Sequence, residues 1–348
     1  MRVGAIPEGP IERVVARLNL APQPLIETQM AFTLARLVMA GVKLGVFEAL
    51  DDGPADAEQV AGRCGTDAHA TGKLLFALAA ADYLKEDGGR YELTPMASKW
   101  LLRESPDSLA DKLEFQFYEW DLIGRSEEYI RSGRPLELHS TLDGGEWRLY
   151  QRGMRSMARP FSTEGVRRLP VPKGAKDVLD IGGSHGYYSV ALCRRYEQLR
   201  AVVLDLPDAI EHAAPLLAEE EMGERVVHRP GNALEDDLGE QDWDVVLIVQ
   251  LVHHFSDEQN RRLAERVSRA LRPGGVYAII DAFRPQAPGD GGEMPALLEF
   301  YFALTSQSGT WSPREMASWQ RDAGLEPKRA IRFRTIPGGG IQAATKPG

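Results

Sequence analysis

Cysteine is nearly absent. Cys64 and Cys193 are the only two in 348 residues, too few and too scattered for a disulfide framework or a cysteine zinc site, so both read as thiols in a reducing compartment. Net positive charge is missing as well. With 41 basic and 51 acidic residues the balance is 41 − 51 = −10, so the surface as a whole repels phosphate backbones and anionic membranes, and a general nucleic-acid binder is not expected. Long hydrophobic runs are scarce too. The densest, residues 245–252, is far short of a membrane span. The opening segment, MRVGAIPEGPIERVV, mixes Arg2, Glu8 and Glu12 with prolines and lacks the apolar core of a signal peptide. A cytoplasmic protein with no membrane partner is therefore expected. What is present, 43% hydrophobic and 26% charged residues without repeats or low-complexity tracts, is ordinary globular composition, long enough for two domains.

The two halves differ in rhythm. From Ile11 to about Phe161 apolar residues recur mostly at helical spacing; from about Val178 short β-branched runs alternate with helical patterns, as in a βαβ series. Arg168-Leu-Pro-Val-Pro-Lys-Gly174 is the natural junction, giving expected domains at 1–165 and 166–348. In the first, residues 31–50 predict a helix with Leu34, Val38, Val42 and Val46 on one face, broadened by Ala35, Met39 and Phe47. That stripe is wider than a solitary surface helix needs, and predicts packing on both sides, including against another subunit. Helical patterns at 57–64 and 68–81 precede Tyr83-Leu-Lys-Glu-Asp-Gly-Gly-Arg-Tyr-Glu-Leu93, a hairpin around an Asp-Gly-Gly turn. Helix, turn, helix, hairpin is a winged-helix pattern. Between Gly53 and Trp100, however, five basic residues face seven acidic ones, a net of 5 − 7 = −2. The would-be recognition helix offers Lys73 alone, whereas reading a groove needs Arg, Lys, Asn or Gln. Packing or dimerisation is the expected role.

The second half opens on Lys176-Asp-Val-Leu-Asp-Ile-Gly-Gly-Ser-His-Gly186, a buried strand running into a glycine turn before a helix at 187–195. Gly182 and Gly183 permit close backbone approach, and the helix start offers free N–H groups. The dinucleotide fingerprint fails, because Ser184 and Tyr187 hold its second and third glycine positions. A second strand, 200–205, ends in Asp205, where an acid accepts both hydroxyls of a ribose; the bland alternative is a helix cap. A third strand at 225–228 leads to Gly231-Asn232-Ala233, where Asn232 suits an adenine edge or simply a Gly-Asn turn. The fourth, 244–252, delivers His253-His254, whose side chains on an extended strand would point to opposite faces. After a helix at 258–271 and an Arg-Pro-Gly-Gly turn, a fifth strand, 276–280, ends in Asp281. In an open parallel sheet, strand ends bind ligands, so Gly182, Asp205, His253 and Asp281 are expected to converge on one cleft. Residues 328–336 and 341–345 around Pro-Gly-Gly-Gly predict a closing antiparallel hairpin. The expected fold is α/β, a mostly parallel Rossmann-like sheet behind a helical winged-helix domain.

Taken together and in order, Val178-Leu-Asp-Ile-Gly-Gly, Val203-Leu-Asp-Leu-Pro, Pro230-Gly-Asn, Val252-His-His-Phe-Ser-Asp-Glu258 and Leu271-Arg-Pro-Gly-Gly resemble the two-domain S-adenosylmethionine-dependent O-methyltransferases of plants and bacterial secondary metabolism. The resemblance covers nearly the whole chain. It implies a class I methyltransferase sheet, S-adenosylmethionine held by Asp180, Gly182, Gly183, Asp205, Leu206, Asn232, Ala233 and Val249, and a homodimer formed through the first domain. It implies His253 as general base with Asp281 as its acidic partner, and Tyr150, Met154 and His254 beside a small aromatic acceptor. No metal is implied. There are departures: Ser184 for the usual middle glycine, His254 and Phe255 for Asp and Trp, and Thr310 or Trp311 for a second carboxylate flanking the base. Three rivals remain. Gly182-Gly-Ser-His-Gly186 matches a hydrolase nucleophile elbow, but follows the first strand of its sheet and has no His-Gly-Gly oxyanion motif before it. A transcriptional regulator is disfavoured by charge. A relative that keeps the cofactor for decarboxylation, hydroxylation or pericyclic chemistry is the alternative activity.

Overall fold

The computed structural model describes residues 4, 6, 7 and 9–348; Arg2 and Glu8 of the opening segment lie outside them. Contacts divide the chain into two units, Arg2–Phe117 and Tyr118–Gly348.

In the first unit local sequence dictates the helix ends. Asp56 and Gln59 cap the helix Ala57–Cys64 reciprocally, at 2.9 and 3.1 Å, and Gly65 ends it in a left-handed turn. Asp67 accepts from the Ala70 amide at 2.8 Å and starts the helix Ala68–Ala80. The strands β1 (Leu84–Asp87) and β2 (Arg90–Leu93) pair antiparallel with Asp87 opposite Arg90. Their loop is therefore Gly88-Gly89, both at positive φ, the mirror turn that matches hairpin twist. Val42, Phe47, Leu50, Val60, Leu75 and Leu78 form the core.

The helix expected at 31–50 stops at Lys43, because Gly45 turns left-handed at φ 73°; a short 3₁₀ turn, Glu48–Leu50, follows. Val46 and Phe47 reach the core from the turn between the helix and this 3₁₀ segment rather than from a helical stripe. Upstream, helix continues through a π-turn at Ile26–Met30. The 21-residue run Gln23–Lys43 is, by length and composition, apolar enough to cross a membrane, and no other helix among the described residues is. A π-turn adds a residue to the repeat, which hides this run from a search at 3.6-residue spacing.

The second unit holds one sheet: β3 (Asp177–Ile181), β4 (Arg200–Asp205), β5 (Val226–Pro230), β6 (Trp243–Val249) and β7 (Leu271–Ala282) are parallel in the order β5-β4-β3-β6-β7. Beyond β7 lies antiparallel β10 (Gly339–Thr345), which carries the short β8 (Glu326–Pro327) and β9 (Ile331–Arg332). Both faces are covered, as a parallel sheet requires. Val178, Val203 and Val245 pack one way against Val190 and Leu192, while Leu179, Val246 and Ile248 pack the other way against Leu263 and Trp319.

Four boundaries depart from the sequence reading. The third strand is shifted to Val226–Pro230. β6 ends at Val249, because Gln250 adopts φ 52° and turns the chain. β7 starts at Leu271 and absorbs the Arg-Pro-Gly-Gly segment through a register shift opposite Trp243 and Val245. Residues 328–336 do not form one strand, since the amides of Arg334 and Thr335 go to the Glu164 carboxylate at 3.0 and 2.9 Å instead of to β10.

Glu164 lies near the end of the long helix Gly144–Arg168 and is only 4% exposed. It also accepts from the Thr335 hydroxyl at 2.6 Å and from Arg168 at 2.7 Å. Burial pushes its carboxyl up, but the bonds from Thr335, Arg334 and Arg168 outweigh that and hold it at about 2. Glu164→Gln is expected to cost about 2 kcal/mol at neutral pH, measured by urea unfolding. Because the folded-state value lies below the ordinary 4.5, this contribution is complete above about 4.5 and fades as pH falls toward about 2. The gap between wild type and variant should close over that window. A gap independent of pH would show that the charge is not what Glu164 contributes.

Candidate active site

β3 runs into Gly182, at φ 66°, a left-handed turn that favours glycine. At Gly183 a Cβ would lie 2.6 Å from the Asp180 carboxyl and 2.8 Å from Val203, so only glycine fits. Ser184, also left-handed at φ 52°, is held from both ends. Its hydroxyl donates to the side-chain carbonyl of buried Gln151, and its amide donates to Asp205 Oδ2 at 2.8 Å. The Leu206 amide donates to Asp205 Oδ1 at 2.8 Å. The acid at the tip of β4 thus braces the glycine loop at the tip of β3. Asp180 Oδ2 accepts from Ser189 at 2.7 Å, while its Oδ1 is buried without a hydrogen-bond partner; burial pushes this carboxyl up to about 7. His185 accepts from the Tyr187 amide at 3.1 Å, and burial, with Arg155 nearby, lowers it to about 3. The Ser184 hydroxyl of the nucleophile-elbow match is thus committed to Gln151 rather than to an imidazole.

Asn232 follows β5. Its side-chain oxygen accepts from the Leu234 amide at 3.0 Å, so the Gly-Asn turn chemistry is real and occupies that oxygen. Ala233 and Val249 are half-buried at the edges of the two core clusters, and Leu206 is exposed.

At the ends of β6 and β7 lies the second constellation. His253 and Asp281 are buried, with His253 Nδ1 3.2 Å from Asp281 Oδ2 and 3.3 Å from Oδ1. Asp281 is oriented in turn by the Ala282 amide at 2.7 Å. Phe302, on the helix Glu293–Thr305, lies over the imidazole with ring centroids 4.3 Å apart. The two histidines do not point to opposite faces as an extended strand would place them. They sit in a 3₁₀ turn, Val252–His254, which brings their rings to 4.3 Å. His254 then meets His139 at 4.7 Å, and His139 stacks on Trp147 at 5.4 Å and meets Tyr150 edge-on at 5.0 Å.

His139, Trp147 and Phe302 escaped the sequence reading. His139 lies in a short 3₁₀ segment, Leu138–Thr141, with no local motif to flag it, and a helical Phe beside other aromatics reads as core. Burial first, and His253 second, lower His139 to about 4; the same causes, with His139 added, lower His254 further. Both imidazoles are therefore neutral at physiological pH. The Tyr150 hydroxyl is pushed up by burial and then by Asp205 and Glu119, which puts it within electrostatic reach of both acids. Glu119 itself is buried and accepts from the Tyr301 hydroxyl. Met154 lies one turn beyond Tyr150 on the same helix, half-buried. Thr310 donates its amide at 3.0 Å, and its hydroxyl, to Glu299, while Trp311 donates its indole N–H to the Val252 carbonyl at 3.0 Å. Among the described residues no group of three or more His, Cys, Asp or Glu could hold a metal ion.

The chain matches the model of the O-methyltransferase domain over residues 129–326 and that of the O-methyltransferase dimerisation domain over residues 26–103. It is 26% identical over 335 residues to 3-hydroxy-5-methyl-1-naphthoate 3-O-methyltransferase of Streptomyces sahachiroi, covering 93% of this chain and 95% of that protein. It is 29% identical over 288 residues to 3-amino-4-hydroxybenzoate 4-O-methyltransferase of Streptomyces cremeus, covering 78% and 76%. In fold it is similar to human N-acetylserotonin methyltransferase, solved in complex with S-adenosylmethionine, with a TM-score of 0.84 at 20% identity over 99% of this chain and 100% of that one. With more than half of its length matched by the domain model, the chain belongs to the O-methyltransferase family.

Proposed function

We propose that the protein transfers a methyl group from S-adenosylmethionine to a hydroxyl, phenolic in kind, of a small and largely apolar aromatic metabolite, with His253 as general base. The observation that carries this is the buried His253–Asp281 pair, 3.2 Å apart at the carboxyl ends of adjacent parallel strands. The names of the aromatic-acceptor relatives support it.

The residues fit the cofactor. Asp180 Oδ1, buried without a partner, suits a cationic group, which would favour the ionised carboxylate. Asp205, braced by two amides, suits the ribose hydroxyls; Asn232 with Ala233 suits the adenine, and Gly182, Gly183, Leu206 and Val249 complete the cradle. When bound, S-adenosylmethionine supplies an electrophilic methyl carbon on its sulfonium.

The protein supplies alignment and proton removal. With Nδ1 donating to Asp281, the lone pair of His253 lies on Nε2, the nitrogen available to a hydroxyl. A phenol titrates near 10 and free imidazole near 6.5, so full ionisation before reaction is uphill by about 5 kcal/mol; His253 takes the proton as charge on the oxygen changes, not beforehand. His254 and His139, both neutral, with Tyr150 and Met154 form an uncharged wall for a flat acceptor. Incubation with a phenol library and mass spectrometry of cofactor and product tests this reading. Methylated product with S-adenosylhomocysteine supports it; product without cofactor consumption assigns the chain to the non-methylating alternative.

We place residues 166–348 in the cofactor domain and 1–165 in a domain that dimerises and contributes Tyr150 and Met154 to the acceptor. Phe32, Leu34 and Phe76 are 50%, 38% and 69% exposed, and the matched dimerisation domain includes most of the apolar run Gln23–Lys43. Dimer packing, in the cytoplasm, is the role assigned to that run. Light scattering should give twice the 38.5 kDa chain mass, and a stable monomer at micromolar concentration would sink the dimer.

A further inference from the structure

Taking His253 as the base, we infer that Trp311 is its positioning residue, locking the turn that carries the base to the strand that carries Asp281. The sequence puts no carboxylate at 310 or 311, yet the backbone around His253 is unusually tied down. The Val252 carbonyl accepts two buried donors, the Trp311 indole N–H and the Asn260 side-chain amide, each at 3.0 Å. The same Asn260 amide reaches the Phe255 carbonyl at 3.1 Å, and the His253 carbonyl accepts from the Ser308 amide at 3.2 Å. Trp311 is also fixed at its other end: its carbonyl accepts from the Arg284 amide at 3.1 Å, three residues past Asp281, and it bridges Phe283 in parallel pairing. One residue therefore spans both elements of the pair.

The ring is held in its plane as well. The Arg284 guanidinium lies 4.9 Å above it and Trp319 meets it edge-on at 5.1 Å. Arg284 is held by Glu315 at 3.0 Å and faces Glu299, the acceptor of Thr310, at 3.4 Å. A tight turn has few restraints of its own, and a base displaced by an ångström loses much of its effect. The indole bond thus replaces, through the backbone, the direct grip that a second carboxylate would have on the imidazole.

The test compares Trp311→Phe, which keeps the ring and removes the N–H, with Trp243→Phe. The latter removes a similar indole bond, to the Leu238 carbonyl at 2.6 Å, that leaves Val252 and Trp311 untouched. Two readouts are taken on the full-length protein. The first needs no acceptor: the downfield proton NMR signal of the His253 Nδ1–H bonded to Asp281, assigned by its loss in His253→Ala. It should broaden or shift in Trp311→Phe and persist in Trp243→Phe. The second is turnover of 1-naphthol against 4-nitro-1-naphthol, which is already ionised at the assay pH and needs no base. Trp311→Phe should slow the first by about 10–100-fold and leave the second nearly unchanged. If Trp311→Phe fails to fold, Asn260→Ala, which removes the other donor to Val252, is expected to give the same split. An unchanged NMR signal, or equal slowing of both acceptors, overturns the positioning role. If His253→Ala itself shows no dependence on acceptor ionisation, it is the base assignment that fails instead.

Discussion

Replacing His253 by alanine is expected to lower turnover by about 10²–10⁴ while leaving cofactor affinity nearly intact. The loss should appear in kcat, because the imidazole acts on a proton that moves only during reaction. Calorimetry with S-adenosylmethionine should show a near-normal Kd, since Asp180 and Asp205, not His253, face the cofactor in this reading. Activity of the wild type should fall in acid, where an imidazolium has no lone pair to accept a proton, and that limb should vanish in the variant. The companion His254→Ala is not the silent control that alternation along a strand suggests. Its ring touches both His253 and His139, so the variant should raise KM for the acceptor more than it lowers kcat. Full activity in His253→Ala would hand proton removal to the acceptor's own acidity.

The second large effect belongs to Asp205. Charge-assisted hydrogen bonds are worth about 1.5–3 kcal/mol each, so losing a pair to the ribose weakens binding by about 10²–10⁴ in Kd. Asp205→Ala should show this by calorimetry. The carboxylate also accepts from Ser184 and Leu206, so part of the loss reports a loosened loop. Asp205→Asn keeps the shape and one acceptor oxygen and should fall between. Unchanged affinity would move the ribose contact elsewhere.

Strand-end chemistry was legible because it is written locally. A parallel strand buried on both faces reads as an unbroken apolar run, and whatever follows it stands at the ligand edge; Gly182, Asp205, His253 and Asp281 were singled out that way, whereas Asp180, inside β3, came only from the family resemblance. The orientation of His254 was missed because it depends on where β6 stops, and the left-handed Gln250 that stops it carries no glycine to mark it. His139 was missed because it reaches His254 and Tyr150 only through tertiary packing; Trp147, one turn before Tyr150 on the same helix and 5.5 Å from its ring, was missed because an aromatic pair at helical spacing reads as core. The role of Trp311 was invisible for a related reason: its indole serves a backbone carbonyl 59 residues away, and side chain to backbone bonds leave no complementary residue to search for.

The Glu164 clasp has a kinetic consequence. His253 and Asp281 are 28 residues apart and belong to one β-α-β unit, so they come together as that unit forms. Glu164 and the Arg334 amide are 170 residues apart, and closing so long a loop is an entropic step that follows the shorter ones. A bond made after the folding barrier slows escape from the native state without hastening its formation. Weakening Glu164 should therefore leave the refolding rate nearly unchanged and shorten the lifetime of the folded enzyme.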